Sequence, residues 1–293
     1  MSRFNTDALV STEWLARHLT APDIRIVDAT YHLPQAGRDA RAEYLAEHIP
    51  GAVFFDIDEV ADSSSDLPHM LPPPETFSAR ARRLGLGDGS RIVVYDRGGM
   101  FSAPRVWWTF RVFGHRDVVV LDGGLPKWVQ EGRPVEEGPV HPDERHFTAR
   151  FDHAMVRDLE QMRRNLEKRR EQILDARGRG RFEGTNEEIW PGRRQGHIPG
   201  SLNLPFNELV DPDAGTLLPP ERLEDAFAEA GVDPNASVVC TCGSGVTAAT
   251  LALGLHVIGA RRVSIYDGSW AEWGLPGDTP VETGPPGSGG ERG

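Results

Sequence analysis

Cys242 is the residue whose type and setting point most directly to chemistry. It opens Cys242-Gly-Ser-Gly-Val-Thr247, between an apolar run, Ser237-Val-Val-Cys240, and an Ala/Leu-rich stretch, Ala248-Ala-Thr-Leu-Ala-Leu-Gly-Leu255. The run reads as a buried strand and the stretch as a helix, which puts Cys242 in a tight glycine loop at a helix N-terminus. Successive N–H groups of such a loop converge on an anion, and the helix end adds partial positive charge. A thiol held there is expected to ionise more readily than a free one, and the thiolate is the form that attacks sulfur. The same N–H groups would cradle a persulfide anion. The alternative is a buried structural cysteine in an ordinary turn. Cys240 lies inside the strand pattern and reads as inert core. The pair is too close for an ordinary disulfide and has no Cys or His partner at metal-ligand spacing, so neither a disulfide framework nor a zinc site is expected.

The chain around this loop repeats itself at an offset of about 147 residues. His48-Ile-Pro-Gly51 recurs as His197-Ile-Pro-Gly200, and Pro74-Glu-Thr-Phe77 parallels Pro220-Glu-Arg-Leu223. Ile92-Val-Val-Tyr-Asp96 parallels Val238-Val-Cys-Thr-Cys242, so Asp96 stands where the second half has its cysteine. A carboxylate there cannot be a sulfur nucleophile. The expectation is a catalytically degenerate first domain over 1–140, a catalytic second domain over 151–283, and a disordered Gly/Pro-rich tail over 284–293. The boundary is expected within 136–151.

Each half reads the same way. Runs at 118–121 and 263–266 look like buried strands. Residues 76–84 and 221–230 place apolar side chains at helical spacing, with Gly231 as a stop. Strands alternating with helices predict an α/β fold with a parallel sheet in each half. Ligands of open α/β sheets bind beyond the carboxyl ends of the strands, which is where Cys242 falls.

Composition narrows the field. The 293 residues carry 32 Lys+Arg against 44 Asp+Glu, a formal charge of −12, with 39% hydrophobic and 26% charged residues. That is ordinary for a soluble globular protein and argues against nucleic-acid or anionic-membrane partners. Residues 234–260 carry no Asp, Glu, Lys or Arg, but four glycines and several hydroxyls make a buried strand, turn and helix the better reading than a membrane span. The N-terminus has no apolar secretory region, so a cytoplasmic location is expected.

With these residues in view, the sequence resembles the two-domain rhodanese superfamily, and within it the 3-mercaptopyruvate sulfurtransferases. The similarity runs from about Leu9 to Trp273, and Cys242-Gly-Ser-Gly-Val-Thr-Ala248 looks like that subfamily's active-site loop. Supporting segments include Ser102-Ala-Pro-Arg-Val-Trp-Trp108, Gly180-Arg-Phe182 and Tyr266-Asp-Gly-Ser-Trp270. The resemblance implies two tandem rhodanese-like domains, each a parallel sheet flanked by helices. It implies a Cys242 persulfide made from mercaptopyruvate and passed to cyanide or a thiol acceptor such as thioredoxin or a small thiol, with no cofactor or metal. It implies a relay of Ser244 with His69 and Asp58 from the first half, and substrate binding by Arg181, Gly243, Gly245, Val246 and Thr247. Many relatives carry a second substrate arginine where this chain has Trp190; Arg193 or Arg194 is a candidate to replace it.

Three other readings stand beside this one. A thiosulfate:cyanide sulfurtransferase shares the loop but usually has charged residues where Gly243 and Ser244 stand. A cysteine-dependent phosphatase needs an arginine closing the loop, and none occurs between Cys242 and Arg261. A non-catalytic rhodanese-like binding module does not need the intact Cys242 loop.

Overall fold

The computed structural model describes residues 4–287. In the first half the strands are β1 (Leu9–Val10), β2 (Ile24–Asp28), β3 (Val53–Phe54), β4 (Arg91–Tyr95) and β5 (Val118–Leu121). In the second they are β6 (Val156–Arg157), β7 (Glu171–Asp175), β8 (Leu202–Asn203), β9 (Ser237–Thr241) and β10 (Val263–Tyr266). The spatial orders are β1-β5-β4-β2-β3 and β6-β10-β9-β7-β8, so adding five to each label of the first sheet reproduces the second. Every pairing is parallel. The two strands expected at 118–121 and 263–266 are β5 and β10, residue for residue.

Helices cover both faces of each sheet. The first half contributes α1 (Thr12–His18), α2 (Ala40–Ala46), α3 (Ile57–Val60), α4 (Pro74–Arg83), α5 (Ala103–Val112) and α6 (Gly124–Gln130). The second contributes α7 (Leu159–Lys168), α8 (Arg179–Glu183), α9 (Pro220–Glu229), α10 (Ala248–Val257) and α11 (Ser269–Trp273). α4 and α9 each start on a proline, whose fixed φ suits the first helical turn and whose missing N–H has no intrahelical partner there. This is why α4 begins two residues before the apolar periodicity does. Gly85 and Gly231 follow at φ +65° and +80°, left-handed positions that end both helices.

Strand alternation divides the core into three. Ile26 and Val93 face one way, onto Trp128; Ile173 and Val239 do the same in the second half, onto Trp270. Their neighbours Val27, Val94, Leu174 and Cys240 face inward to one cluster shared by both halves. α5 and α10 lie in that shared layer and pack on each other. α10 is apolar all round, as a helix covered on every side must be, and only His256 is not fully buried. Trp107 and Trp108 on α5 are buried too. At about 1.5–3 kcal/mol for each large apolar side chain, this seam is a domain core rather than a loose contact. Among the described residues no helix is long and apolar enough to cross a membrane.

The repeated His-Ile-Pro-Gly segments make one tie twice. His48 N–H donates to Glu136 O (3.0 Å) and His197 N–H to Glu282 O (2.8 Å). Gly51 and Gly200 N–H groups close onto the carboxylates of the same two glutamates. The connection between the halves packs on the first: Arg150 N–H donates to Phe113 O (2.8 Å), and Phe147 is buried against Phe77 and Phe110. At the C-terminus, Gly284 N–H donates to Glu183 O (2.9 Å); the remainder of the tail expected to be disordered, 288–293, lies outside the described residues.

Candidate active site

β9 ends at Thr241 and delivers Cys242 to the carboxyl edge of the second sheet, 2% exposed. The start of α11 holds the loop from behind: Trp270 N–H donates to Cys242 O (3.0 Å) and Ala271 N–H to Gly243 O (2.7 Å). Cys242 N–H is directed at Ser269 Oγ (3.3 Å). Among the described residues, the N–H groups of 243–247 donate to no acceptor. Thr247 caps α10 without a side-chain hydrogen bond, so the helix end is open as well. Five consecutive N–H groups that follow the sulfur-bearing residue are thus left available to negative charge. Gly245 is required by its φ of +79° and by its neighbours: a Cβ there would stand 2.9 Å from Arg105 Nη1.

Across the seam, the segment between α3 and α4 brings His69 to this loop. Its Nδ1 lies 2.8 Å from Ser244 Oγ, and its Nε2 lies 3.1 Å from Asp58 Oδ1. A carboxylate only accepts, so Asp58 favours the tautomer with hydrogen on Nε2. Nδ1 is then free to accept from the Ser244 hydroxyl. Asp58 sits at the start of α3 with its own N–H tied to Asp56 Oδ1 (3.0 Å), and its side chain is 65% exposed. Tyr31 and Trp190 meet the His69 ring edge-on, at centroid distances of 4.9 and 5.7 Å. Burial, then the charges of Asp58 and Asp56, push the Tyr31 hydroxyl up, so this wall stays neutral.

Arg181 reaches the same place from α8. A Cβ on Gly243 would stand 3.1 Å from Arg181 Nη2 and 3.3 Å from Trp190 Nε1. Two donors, one charged and one neutral, thus flank the loop. Arg181 is held by Glu188 (Nη2 to Oε2, 2.7 Å), whose other oxygen binds Arg177 Nη1 (2.7 Å). Arg177 in turn grips Asp175 and lies over the Trp270 ring at 4.3 Å. The Arg177, Arg179, Arg181 run is therefore not one surface patch: Arg177 is buried, Arg181 is half-buried at the loop, and only Arg179 is exposed, on Glu208.

Arg193 and Arg194 do not take the role offered to them. Arg193 Nε donates to Ala271 O (2.9 Å); Arg194 donates to Thr279 O (2.8 Å) and Trp273 O (3.0 Å). Arg193 thus ties to α11 itself and Arg194 to its last residue and the chain beyond it, because a guanidinium suits a cluster of carbonyls. Glu188 and Tyr31 were not legible as site residues. Tyr31 lies just beyond the carboxyl end of β2, the side of an open α/β sheet where ligands bind, whereas Glu188 carries no distinguishing signal in the sequence. Cys240 is fully buried, and burial followed by the charge of Cys242 pushes its thiol well up. Among the described residues no three His, Cys, Asp or Glu side chains converge on a metal position.

The first half has the same turn without a sulfur. Asp96 follows β4, and its own carboxylate accepts from Gly98 N–H (2.8 Å), Ser102 N–H (2.8 Å) and Ala103 N–H (2.7 Å).

A family model described as Rhodanese-like domain matches this chain over residues 11–131 and again over 158–275. A 3-mercaptopyruvate sulfurtransferase of Homo sapiens is 46% identical over 272 residues, covering 91% of each chain. A thiosulfate sulfurtransferase of Bos taurus is 44% identical over 273 residues, again covering 91% of each. The crystal structure of SseA from Escherichia coli, described among 3-mercaptopyruvate sulfotransferases, matches with a TM-score of 0.83 at 42% identity, over 90% of this chain and 99% of that one.

Proposed function

This chain belongs to the rhodanese family, and from that premise we propose that it is a sulfurtransferase that takes sulfur from 3-mercaptopyruvate, carries it as a Cys242 persulfide and releases pyruvate. The observation that carries the reading is the meeting of two things at one point: a cysteine in a loop with five unclaimed N–H groups, and a Ser244–His69 contact of 2.8 Å beside it.

The chemistry follows from the parts. The Cys242 thiolate attacks the substrate sulfur, a new S–S bond forms and the C–S bond breaks. Its electron pair leaves on carbon as the pyruvate enolate. The proton lost from the substrate thiol is returned to that carbon, so Ser244 and His69, oriented by Asp58, act as the proton relay. The persulfide anion rests on the N–H groups of the loop. Arg181 grips the carboxylate as a planar fork, with the Trp190 indole N–H as a neutral second donor. An acceptor thiol then takes the outer sulfur, its proton leaves by the same relay, and the Cys242 thiolate is regenerated. Cys242 is recessed, so the acceptor is a small thiol or a cysteine projecting from a thioredoxin-like protein. A cytoplasmic setting belongs to the same proposal and suits two free cysteines.

Initial rates with mercaptopyruvate and thiosulfate at matched concentration test the donor. The reading expects mercaptopyruvate to give the higher kcat/KM. A clear preference for thiosulfate moves the chain to its thiosulfate-using relatives; no persulfide from either donor leaves a binding module.

A further inference from the structure

We infer that Arg105 and Asp267 are positioning residues for sulfur transfer: a buried ion pair between the halves that sets His69 against Ser244. The inference deepens the reading of the site above and rests on it.

Arg105 lies in the first turn of α5, in the first half; Asp267 follows β10, in the second. Both are almost fully buried. Arg105 Nη2 donates to Asp267 Oδ1 (2.7 Å) and to the backbone carbonyl of His69 (2.6 Å). Its Nη1 donates to the carbonyl of Gly245 (3.3 Å), next to Ser244. The guanidinium carbon lies over the Trp108 ring, 4.7 Å from its centre. The second oxygen of Asp267 accepts from Leu71 N–H (2.8 Å), two residues beyond His69.

One guanidinium and one carboxylate thus hold the backbone on both sides of the relay. His69 needs that hold. Its φ is +60°, a left-handed conformation that a residue with a side chain keeps only where its surroundings impose it. Its carbonyl is fixed by Arg105, and Asp267 fixes the chain just after it. Gly245, bound to the same guanidinium, fixes the loop that carries Ser244. The 2.8 Å contact between the two side chains therefore has its two backbones referred to a single group. A lysine cannot substitute, because one ammonium on a flexible stem cannot span the acceptors that a rigid planar fork spans.

The claim separates from a purely architectural role through non-additivity. If Arg105 acts through His69, its loss matters only while His69 is present. The experiment is steady-state kinetics on the full chain, with a thiol acceptor, for Arg105→Lys, His69→Ala and the double variant. Arg105→Lys is expected to lower kcat about 10²-fold with KM nearly unchanged, and to add almost nothing in the His69→Ala background. Equal loss in both backgrounds, or a wild-type kcat for Arg105→Lys, overturns the inference. Should Arg105→Lys not fold, Asp267→Asn carries the same cycle, since an amide of the same shape must turn an N–H toward Arg105 or Leu71. Wild-type protein that uses thiosulfate and not mercaptopyruvate overturns only the donor assignment, and the cycle is then read with thiosulfate.

Discussion

The turns after β4 and β9 are built alike and used in opposite ways. Both leave a parallel strand, and both gather backbone N–H groups before a helix. After β4 the chain supplies its own anion: the Asp96 carboxylate takes three of those groups. After β9 the side chain is a thiol, and the N–H groups of 243–247 have no acceptor among the described residues. An anion cradle is thus a by-product of the strand–turn–helix unit, and one residue decides whether it is closed from within or open to a ligand. The closed half still contributes to the open one. It lends His69, Asp58, Tyr31 and Arg105, which reach the Cys242 loop across the seam or stand behind the residues that do. A half without a cysteine is therefore part of the proposed site.

The comparison can be broken most severely at the sulfur. Cys242→Ser is expected to abolish transfer from either donor while leaving the fold intact by circular dichroism; residual turnover would mean that the open cradle is not the carrier. His69→Ala should lower kcat by about 10²–10⁴, the range of a lost proton-transfer group. A near-normal kcat there would make the first half a spectator. Trp190→Arg should lower KM for mercaptopyruvate about fivefold, because a charge-assisted contact of roughly 1.5–3 kcal/mol would replace the neutral indole contact of about 0.5–1.5 kcal/mol. The effect on thiosulfate should be smaller, since its oxygens sit one atom from the transferred sulfur and the mercaptopyruvate carboxylate sits three atoms away. No change in KM would place the carboxylate elsewhere than between Arg181 and position 190. Asp96→Ala should leave kcat per folded molecule unchanged. It orphans three N–H groups at about 1–3 kcal/mol each, and the loss should appear as a lower melting temperature. If activity falls while stability holds, the two turns are not divided in the way described.

Local patterns carried the fold well. β5 and β10, the proline starts of α4 and α9 and their glycine stops all follow from a few adjacent residues. The Cys242 loop was legible for the same reason. What the sequence did not display is separation. His69 meets Ser244 across 175 residues and Arg105 meets Asp267 across 162; the motifs holding them were visible, but nothing in spacing assigns the contact. Proximity in sequence also misleads. Arg193 and Arg194 lie within four residues of Trp190 and yet turn away to carbonyls near 80 residues distant. Asp96 reads as a missing nucleophile, and only the hydrogen bonds reveal that it fills its own cradle.

The most direct test weighs the protein after a single charge of sulfur. Wild type, Cys240→Ala and Cys242→Ser are each treated with mercaptopyruvate without acceptor, digested and analysed by mass spectrometry. Cys240 is 0% exposed and inside β9; Cys242 is in the open loop. The account predicts a gain of about 32 Da, one sulfur on the reactive thiolate, in wild type and Cys240→Ala, and none in Cys242→Ser. A gain that survives in Cys242→Ser, or vanishes in a folded Cys240→Ala, contradicts it.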